Sequence, residues 1–168
     1  WGMVGVESPR DSTLKSFKKD ITPKDAEKAV KLLQENDIFA HTMFIIGERR
    51  DTAESIANLR EFVNELDPDF AIFTVLTPFP GTEIFEEAKR NGWIEDFNWA
   101  HYDMAHAIMP TETLSRKDVQ QELYQCYRGF YGSWGRRLHG IFSRNELKRR
   151  IYWYMSGKGI IRQLRNLF

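Results

Sequence analysis

The stretches WGMVGVES (residues 1–8), FAHTMFIIG (residues 39–47) and FAIFTVLTPFPGT (residues 70–82) decide the fold. Each is a short apolar run that ends in a turn, and a helix-like stretch of about fifteen residues separates each run from the next. This order leaves connections long enough for parallel crossovers, so it predicts an α/β unit with three parallel strands. Ligands bind at the carboxyl ends of such strands, and the side chains that follow each run should therefore meet at one rim. The residues at these strand ends are Glu7, Ser8, Gly47, Thr77 and Pro78.

Helix signals lie between the predicted strands. Thr22 is a typical N-cap, followed by a proline at the first helical position. The second helix opens at Asp51, with Glu54 placed for a capping box. The third strand is apolar at successive positions, which predicts that both of its faces are covered. A third helix is predicted over residues 83–90.

We divide the chain into two parts. Residues 1–92 form the α/β unit, and residues 93–168 form an aromatic loop and a basic helical extension. In the second part, Ser115 caps one helix and Ser143 opens a capping box for another. That helix is expected to reach about Met155, where Gly157 and Gly159 break it before a last short helix.

Composition excludes several classes of protein. Cys126 is the single cysteine, so this chain by itself builds no disulfide framework and no cysteine-ligated iron–sulfur or zinc site. No run approaches the roughly 18 to 20 apolar residues that span a bilayer. No signal peptide is recognisable, and we expect a cytoplasmic protein. Trp1 begins a strand pattern without an initiating Met, which predicts that the chain is cut from a longer protein.

The zero net charge conceals an asymmetry. Residues 136–168 carry nine Lys or Arg against Glu146 alone, a net charge of +8, and the rest of the chain carries −8. This basic, aromatic tail suits peripheral contact with anionic lipid. It also suits docking on an acidic surface of a missing N-terminal half, which we favour because acidic partners lie close by. Nucleic-acid binding would use the same charges and is the least favoured alternative.

The turns that follow the first two strands have the chemistry of a binding site. The Glu7 carboxylate can accept from ribose hydroxyls or an ammonium group; alternatively it forms a surface ion pair with Arg10 or Lys19. Gly47 has no side chain, so a flat ligand can approach the backbone there, although an ordinary strand-to-helix turn also explains it.

The third turn and the histidines complete the set of candidates. The TPFPGT turn (residues 77–82) leaves carbonyls with few N–H partners, which suits an adenine amino group, or it only caps the next helix. His41 is interpreted as a satisfied core or rim histidine. His101 and His106 have no recognised metal-ligand spacing.

Taken together, these residues resemble a known family. GVES (residues 5–8), LKSFKK (residues 14–19), FIIG (residues 44–47) and TPFPGT look like the second half of a radical S-adenosylmethionine (SAM) barrel. The resemblance is closest to the cobalamin-binding branch that includes the anaerobic magnesium-protoporphyrin monomethyl ester cyclase group. The aromatic segment WAHYDMAH (residues 99–106) resembles the same branch.

The resemblance implies the fourth to sixth strands of a partial TIM barrel, with flanking helices and a helical C-terminal extension. It implies that Glu7 and Ser8 hold the ribose and methionine moiety of SAM, and that Lys19 is a cation for its carboxylate. Tyr102 and His106 are candidate contacts to a small-molecule substrate. The adenine shelf is formed by the end of the second strand and the start of the third turn, namely Ile45, Gly47, Thr77 and Pro78.

The resemblance also implies what other parts of the protein supply. A [4Fe–4S] cluster and cobalamin would be bound outside this chain, because the three-cysteine motif is absent. The whole protein would be an oxidative cyclase or methyltransferase acting on a porphyrin-like or other apolar substrate, and this chain alone would be inactive. The alternative is a non-catalytic α/β module that binds a nucleotide or a protein. Because the absent strands would lie beside residues 1–7, we expect an unpaired sheet edge there.

One loop departs from the family pattern. The family usually has Gly-x-Pro-Gly-Glu-Thr after the second strand, whereas this chain has GERRDT (residues 47–52). The acidic position is retained as Asp51. Arg49 and Arg50 replace the proline and the glycine, so we expect a different loop shape.

Overall fold

The fold is an α/β arrangement around one parallel sheet. The computed structural model describes residues 1–165, without the side chains at positions 134, 137, 139 and 157–165. The strands lie in the order β1 (Gly2–Glu7), β2 (Ala40–Ile46) and β3 (Phe70–Val75), and both pairings are parallel. The predicted fold class is confirmed. The helices are α1 (Asp11–Ser16), α2 (Pro23–Glu35), α3 (Ala53–Leu66), α4 (Glu83–Arg90), α5 (Arg116–Tyr131), α6 (Trp134–Ile141) and α7 (Glu146–Arg165), with a 3₁₀ turn at Trp99–His101.

Side-chain caps begin the two crossover helices. Thr22 caps α2 through a complete capping box, as the sequence predicts. The cap of α3 differs from the prediction: Thr52 is the N-cap and its capping-box partner is Ser55. With Thr52 as the N-cap, the third helical position is Ser55 and not Glu54. Glu54 therefore lies one position too early to form the capping box.

One face of the sheet is buried beneath the helices. Phe44 and Phe73 stack with ring centroids 5.6 Å apart in the main core cluster. Helix α5 contributes to the same cluster through Val119, Leu123, Cys126 and Phe130. The two predicted parts of the chain therefore share one core, and their division at residue 92 stays a prediction.

The opposite face of the sheet is only partly covered. Along β3, buried and half-buried residues alternate, and Phe70, Ile72 and Thr74 are the half-buried set. The register places Met43 and Ile45 on the same side, and they are half-buried too. We call these five residues the open face. The prediction that β3 is covered on both faces is therefore met only in part among the described residues: this face is half-buried, and Phe70 on it contacts the ring of Tyr131 of α5 at 5.7 Å.

The expected free edge lies at β1. Within residues 1–165, β1 pairs with β2 and with no second strand. Trp1 and Met3 are exposed beside it. The prediction of an unpaired edge is therefore confirmed for the described residues.

The C-terminal helices pack against the amino ends of the strands. Lys148 of α7 forms an ion pair with Asp69 at 2.7 Å, and both side chains are buried. Arg136 of α6 pairs with Asp67. Two tail cations thus have acidic partners within this chain, while docking on a missing half stays a prediction. No helix among residues 1–165 is long and apolar enough to cross a membrane.

The course of the last helix differs from the prediction. α7 continues through Gly157 to Arg165. A glycine inside a helix costs only about 1 kcal/mol relative to alanine, so it lowers helix stability without ending the helix. At the other end, the Asn145 side chain accepts the backbone N–H of Lys148 at 3.0 Å, which is the capping bond that the sequence assigned to Ser143.

Candidate functional site

Glu7 ends β1 in an unusual backbone conformation. The register shifts between Gly5 and Glu7, and Glu7 has a φ of 62°. Its carboxylate folds back over Gly5, where an added Cβ would lie 2.6 Å from Glu7 Oε1. Lys19 Nζ lies 2.8 Å from the same oxygen, and Glu7 is buried. The alternative ion pair is therefore present with Lys19, and it joins a buried carboxylate to an ammonium group on a side chain that is 38% exposed.

Ser8 lies beside it in the turn after β1. It is buried, and its hydroxyl accepts the backbone N–H of Arg10 at 3.2 Å. The Arg10 guanidinium in turn pairs with Asp51, in the turn after β2. The turns at the ends of two neighbouring strands are thereby connected.

Asp51 organises the turn that follows β2. Its carboxylate accepts the backbone N–H groups of Gly47 at 2.9 Å and Glu48 at 3.1 Å, and the Ser55 hydroxyl at 3.2 Å. Burial raises the pKa of the Asp51 carboxyl, and Arg10 opposes that rise. The sequence predicted Asp51 only as a helix cap. Its position four residues after Gly47 is the sequence signal for its bond to the Gly47 N–H.

Gly47 is required for a reason that differs from the prediction. Its φ is +82°, which favours glycine, and an added Cβ would lie 3.1 Å from Val119 and 3.2 Å from Val75. The side chains of Val119 and Val75 already occupy the space that a side chain at position 47 would fill. The glycine therefore permits close packing of α5 onto the end of β2, and that side of the backbone is not open to a flat ligand.

The two arginines in this loop have different roles. Arg49 Nη1 donates to the carbonyl of Pro110 at 2.6 Å, and its guanidinium lies 4.2 Å from the ring centroid of Trp93. The Arg49 carbonyl accepts the N–H of Glu112 at 2.8 Å. The side chain of Arg50 is exposed. Replacement of Pro-Gly by Arg-Arg thus fastens the loop to the segment that follows α4.

The third turn continues the rim. Leu76 N–H donates to the Ile46 carbonyl at 2.8 Å, and the Thr77 hydroxyl donates to the Val75 carbonyl at 3.1 Å. Thr77 and Pro78 are both buried. The same turn also caps α4 through the side chain of Thr82, so the predicted capping role is present as well.

The structure brings the predicted rim residues to one end of the sheet. Glu7, Gly47 and Thr77 all lie at or just beyond the carboxyl ends of parallel neighbours. Ile45 lies on the open face at this end, paired in register with Thr74. Adjacent strands are about 4.8 Å apart, so these positions are close enough for one ligand to span.

The aromatic segment reaches the outer side of this rim. The Met104 carbonyl accepts the N–H of Val75 at 2.8 Å, which fixes the segment beside the end of β3. Tyr102 packs in a small apolar cluster with Leu76, its hydroxyl donates to the Asp96 carbonyl at 3.3 Å, and burial raises its pKa. His106 is exposed. Of the two substrate candidates, His106 is the more accessible.

His41 differs from the interpretation based on sequence. It is buried on β2, its ring lies 5.1 Å from that of Phe70 and 5.5 Å from that of Trp1, and burial lowers its pKa. Neither ring nitrogen has a hydrogen-bond partner among the described residues. It is therefore a buried but unsatisfied histidine.

The described residues hold no metal site of their own. Among residues with described side chains, no three His, Cys, Asp or Glu could hold a metal ion. Cys126 is buried, and burial raises its pKa to about 12. A thiol of this kind is not a ready iron ligand, because metal binding needs the thiolate.

Comparison with known proteins identifies related enzymes, although no family model matches the chain. The chain is 32% identical over 127 residues to an uncharacterized methyltransferase of Pyrococcus horikoshii, a match that covers 76% of this chain and 28% of that protein. It is 30% identical over 128 residues to the anaerobic magnesium-protoporphyrin IX monomethyl ester cyclase of Cereibacter sphaeroides, covering 76% of this chain and 21% of the cyclase. The chain is homologous to radical S-adenosylmethionine enzymes.

A solved structure supports the same fold. The archaeal Elp3 of Methanocaldococcus infernus, with an N-terminal deletion, superposes with a TM-score of 0.51 over 77% of this chain and 36% of that one, at 18% identity. The radical SAM relatives imply SAM and a [4Fe–4S] cluster as cofactors. The chain spans 21 to 28% of the length of the two curated relatives.

Proposed function

We propose that this chain is the C-terminal part of a radical SAM enzyme and forms half of its cofactor cradle and part of its substrate roof. The observation that carries the proposal is the pairing of the buried Glu7 carboxylate with Lys19, whose side chain is 38% exposed, at the carboxyl end of β1. A carboxylate and a solvent-accessible cation at the same rim offer a polar ligand both an acceptor and a positive charge. Homology to radical SAM methyltransferases and a cyclase supports this reading.

The rim residues suit SAM chemically. The Glu7 carboxylate has the acceptor oxygens that a pair of ribose hydroxyls requires, and Lys19 provides a cation for the carboxylate of the methionine moiety. Ser8 adds a hydroxyl in the same turn. Half-buried Ile45 offers an apolar surface for adenine beside Thr77 and the TPFPGT turn. The single cysteine cannot complete a cluster, so the iron ligands would come from elsewhere in the protein.

In this proposal the chain contributes positioning and exclusion of water. The chemistry supplied by the bound cofactors is hydrogen abstraction by a SAM-derived radical. Asp51 and Arg10 hold the first two turns in fixed relation, and Arg49 holds the second turn to the aromatic segment. These contacts keep the rim rigid, so that substrate and cofactor can be held in a fixed relative geometry.

Further properties of the whole protein belong to the same proposal. We propose dependence on cobalamin, action on a porphyrin-like or other apolar small molecule, and no activity of the chain alone. The support is the named activity of the cyclase relative and the sequence resemblance described above. Contact of the basic tail with a membrane and a cytoplasmic location stay predictions.

The test is Glu7→Gln in the full-length enzyme. Loss of a charge-assisted hydrogen bond worth about 1.5 to 3 kcal/mol should weaken SAM binding about ten- to a hundredfold, as measured by calorimetry. The free energy of unfolding should change little. The control is Glu146→Gln, which alters an exposed carboxylate paired with Arg150 at 3.9 Å. Unchanged SAM affinity in Glu7→Gln would reject the assignment of the rim.

A further inference from the structure

His106 is held by a carboxylate through one ring nitrogen. Its Nδ1 lies 2.8 Å from Asp103 Oδ2 and 3.0 Å from Oδ1. Asp103 Oδ1 is itself oriented by the backbone N–H groups of Ala105 at 2.8 Å and His106 at 3.0 Å. With Nδ1 facing the carboxylate, Nε2 lies on the opposite edge of the ring, away from Asp103.

A second histidine holds the plane of this ring. The His101 and His106 rings stack with centroids 4.6 Å apart and an angle of 23° between planes. His101 Nδ1 lies 2.9 Å from Asp96 Oδ2, and Arg116 Nη1 lies 2.9 Å from the same oxygen. The His101 ring also has Asn98 Nδ2 at 3.4 Å from its Nε2. The stack with His101 and the bond to Asp103 thus fix one face and one edge of the His106 ring, and its Nε2 edge is left open.

The two histidines differ in whether their Nε2 atom has a hydrogen-bond partner. Nε2 of His101 already has a neighbour in Asn98, whereas Nε2 of His106 has no hydrogen-bond partner among the described contacts. The His106 side chain is 48% exposed. In metal sites of proteins, a histidine that ligates through one ring nitrogen commonly donates the N–H of its other ring nitrogen to a carboxylate, which is the arrangement of His106 and Asp103.

A single imidazole suits a particular kind of metal. Among residues with described side chains, no group of three ligands exists, so His106 cannot take part in a site built by this part of the protein. One histidine is sufficient when the metal brings its other ligands with it, as the metal of a flat macrocycle does when a protein histidine takes its axial position. The negative charge of Asp103 strengthens such a ligand by increasing its basicity.

The surroundings suit a flat, apolar molecule. Met104, between the two histidines, is fastened to the end of β3 through its carbonyl. Phe97, Trp99 and Met104 belong to the same segment and are exposed. Trp99 also lies against Tyr102, with ring centroids 4.8 Å apart. The segment thus presents aromatic surface at the outer side of the rim.

We propose that Nε2 of His106 is the axial ligand to the metal ion of a metal-bearing macrocyclic substrate, with Asp103 as the residue that positions it. This inference rests on the proposed function and adds to it one named contact. It predicts that the chain recognises the metallated macrocycle in preference to its metal-free form.

The experiment uses zinc protoporphyrin IX and metal-free protoporphyrin IX as probes. The full-length enzyme is titrated into each and followed by absorbance and fluorescence. The zinc form should show a red shift of its main absorption band, because the zinc gains an axial nitrogen, and should bind about tenfold more tightly than the metal-free form. Equal affinity for the two porphyrins, or no binding of either, would refute the proposal.

Three variants assign the effect to a residue. His106→Gln should remove the band shift and reduce the zinc form to the affinity of the metal-free form. Asp103→Asn should keep the shifted band and weaken binding about tenfold, because the ligand remains while its positioning group loses charge. His101→Gln should keep the shifted band, because the ligating nitrogen remains, but weaken binding, because the stacked ring is lost. Glu146→Gln, an exposed position outside this segment, is the control and should change neither the band nor the affinity. Circular dichroism of each variant shows that it is folded.

Two outcomes separate this inference from the proposed function. If His106→Gln retains the band shift, axial ligation by His106 is wrong, whatever happens at the SAM rim. If Glu7→Gln lowers SAM affinity in the same protein, the proposed function stands by itself. A shift lost in His101→Gln and kept in His106→Gln would move the ligand to the other histidine and overturn the assignment.

Discussion

Tyr131 closes part of the free edge of β3 by bonding to both backbone groups of Ala71. Its hydroxyl donates to the Ala71 carbonyl at 2.8 Å and accepts the Ala71 N–H at 3.0 Å. Tyr127, one turn earlier on α5, does the same for Phe73, at 2.8 and 3.2 Å. Two hydroxyls thus replace the hydrogen bonds of a fourth strand and leave β1 as the open edge.

Removing these hydroxyls should destabilise the fold. Tyr127→Phe and Tyr131→Phe each leave a backbone donor and acceptor of β3 without this partner, at a cost of about 1 to 3 kcal/mol in the free energy of unfolding. Urea denaturation of each variant measures this loss in the free energy of unfolding. Tyr124→Phe on the same helix is the control, because Tyr124 is exposed and should be neutral. Equal stability of all three variants would contradict the role of the tyrosines.

The energetic cost of filling the space at Gly47 can be separated from the cost of its positive φ. Gly47→Ala should cost more than Gly81→Ala, because both have a positive φ but an added Cβ at Gly81 meets nothing within 4 Å. The backbone component is about 1 kcal/mol at each position. The excess at Gly47 should shrink when Val119→Ala is added, which denaturation of the double mutant tests. Equal losses at the two glycines would show that contact with Val119 is unimportant.

Cys126 should be unreactive while the chain is folded. Its pKa rises to about 12 from an ordinary value of 9.0, so at pH 8 the thiolate fraction is about a thousandfold lower than in the unfolded chain. Ellman's reagent should react only as the chain unfolds in urea. Because the folded-state pKa is raised, this group contributes stability below about pH 9 and loses it as the pH rises toward about 12. Rapid reaction in native buffer at pH 8 would contradict the buried position.

The buried Lys148–Asp69 pair should tie α7 to the sheet. Lys148→Met leaves the Asp69 carboxylate without its cation and should cost about 3 to 5 kcal/mol. The double variant Lys148→Met with Asp69→Asn should recover part of this loss, because the uncompensated charge is gone and Asn can still accept the N–H of Ala40. Urea denaturation of the single and double variants completes the cycle. Additive losses would show that the two side chains are not coupled.

Much of this molecule follows from local sequence patterns. The apolar runs, the N-caps at Thr22 and Ser115 and the parallel order of three strands depend on neighbouring residues, and each was predicted. The convergence of Glu7, Gly47 and Thr77 at one end also follows, since it depends only on strand direction. The family resemblance rested on these same turns.

Other features depend on contacts between residues distant in sequence. The pairing of Glu7 with Lys19, the packing of Gly47 against Val119 and the bond from Arg49 to Pro110 exist only after helices and loops have docked. The stacking of His101 on His106 is local, but it depends on an irregular backbone around Asp96 and Asp103, which no spacing rule indicates.

Sequence by itself determined which segments become strands and helices and which rim collects the polar turns, because those depend on periodicity and on the direction of each strand. Only the tertiary structure decided which face of the sheet stays open, which edge the tyrosines close and which histidine presents a nitrogen to solvent. These outcomes are set by packing between elements more than fifty residues apart, as in the bonds of Tyr127 and Tyr131 to β3, and a local pattern has no information about such partners.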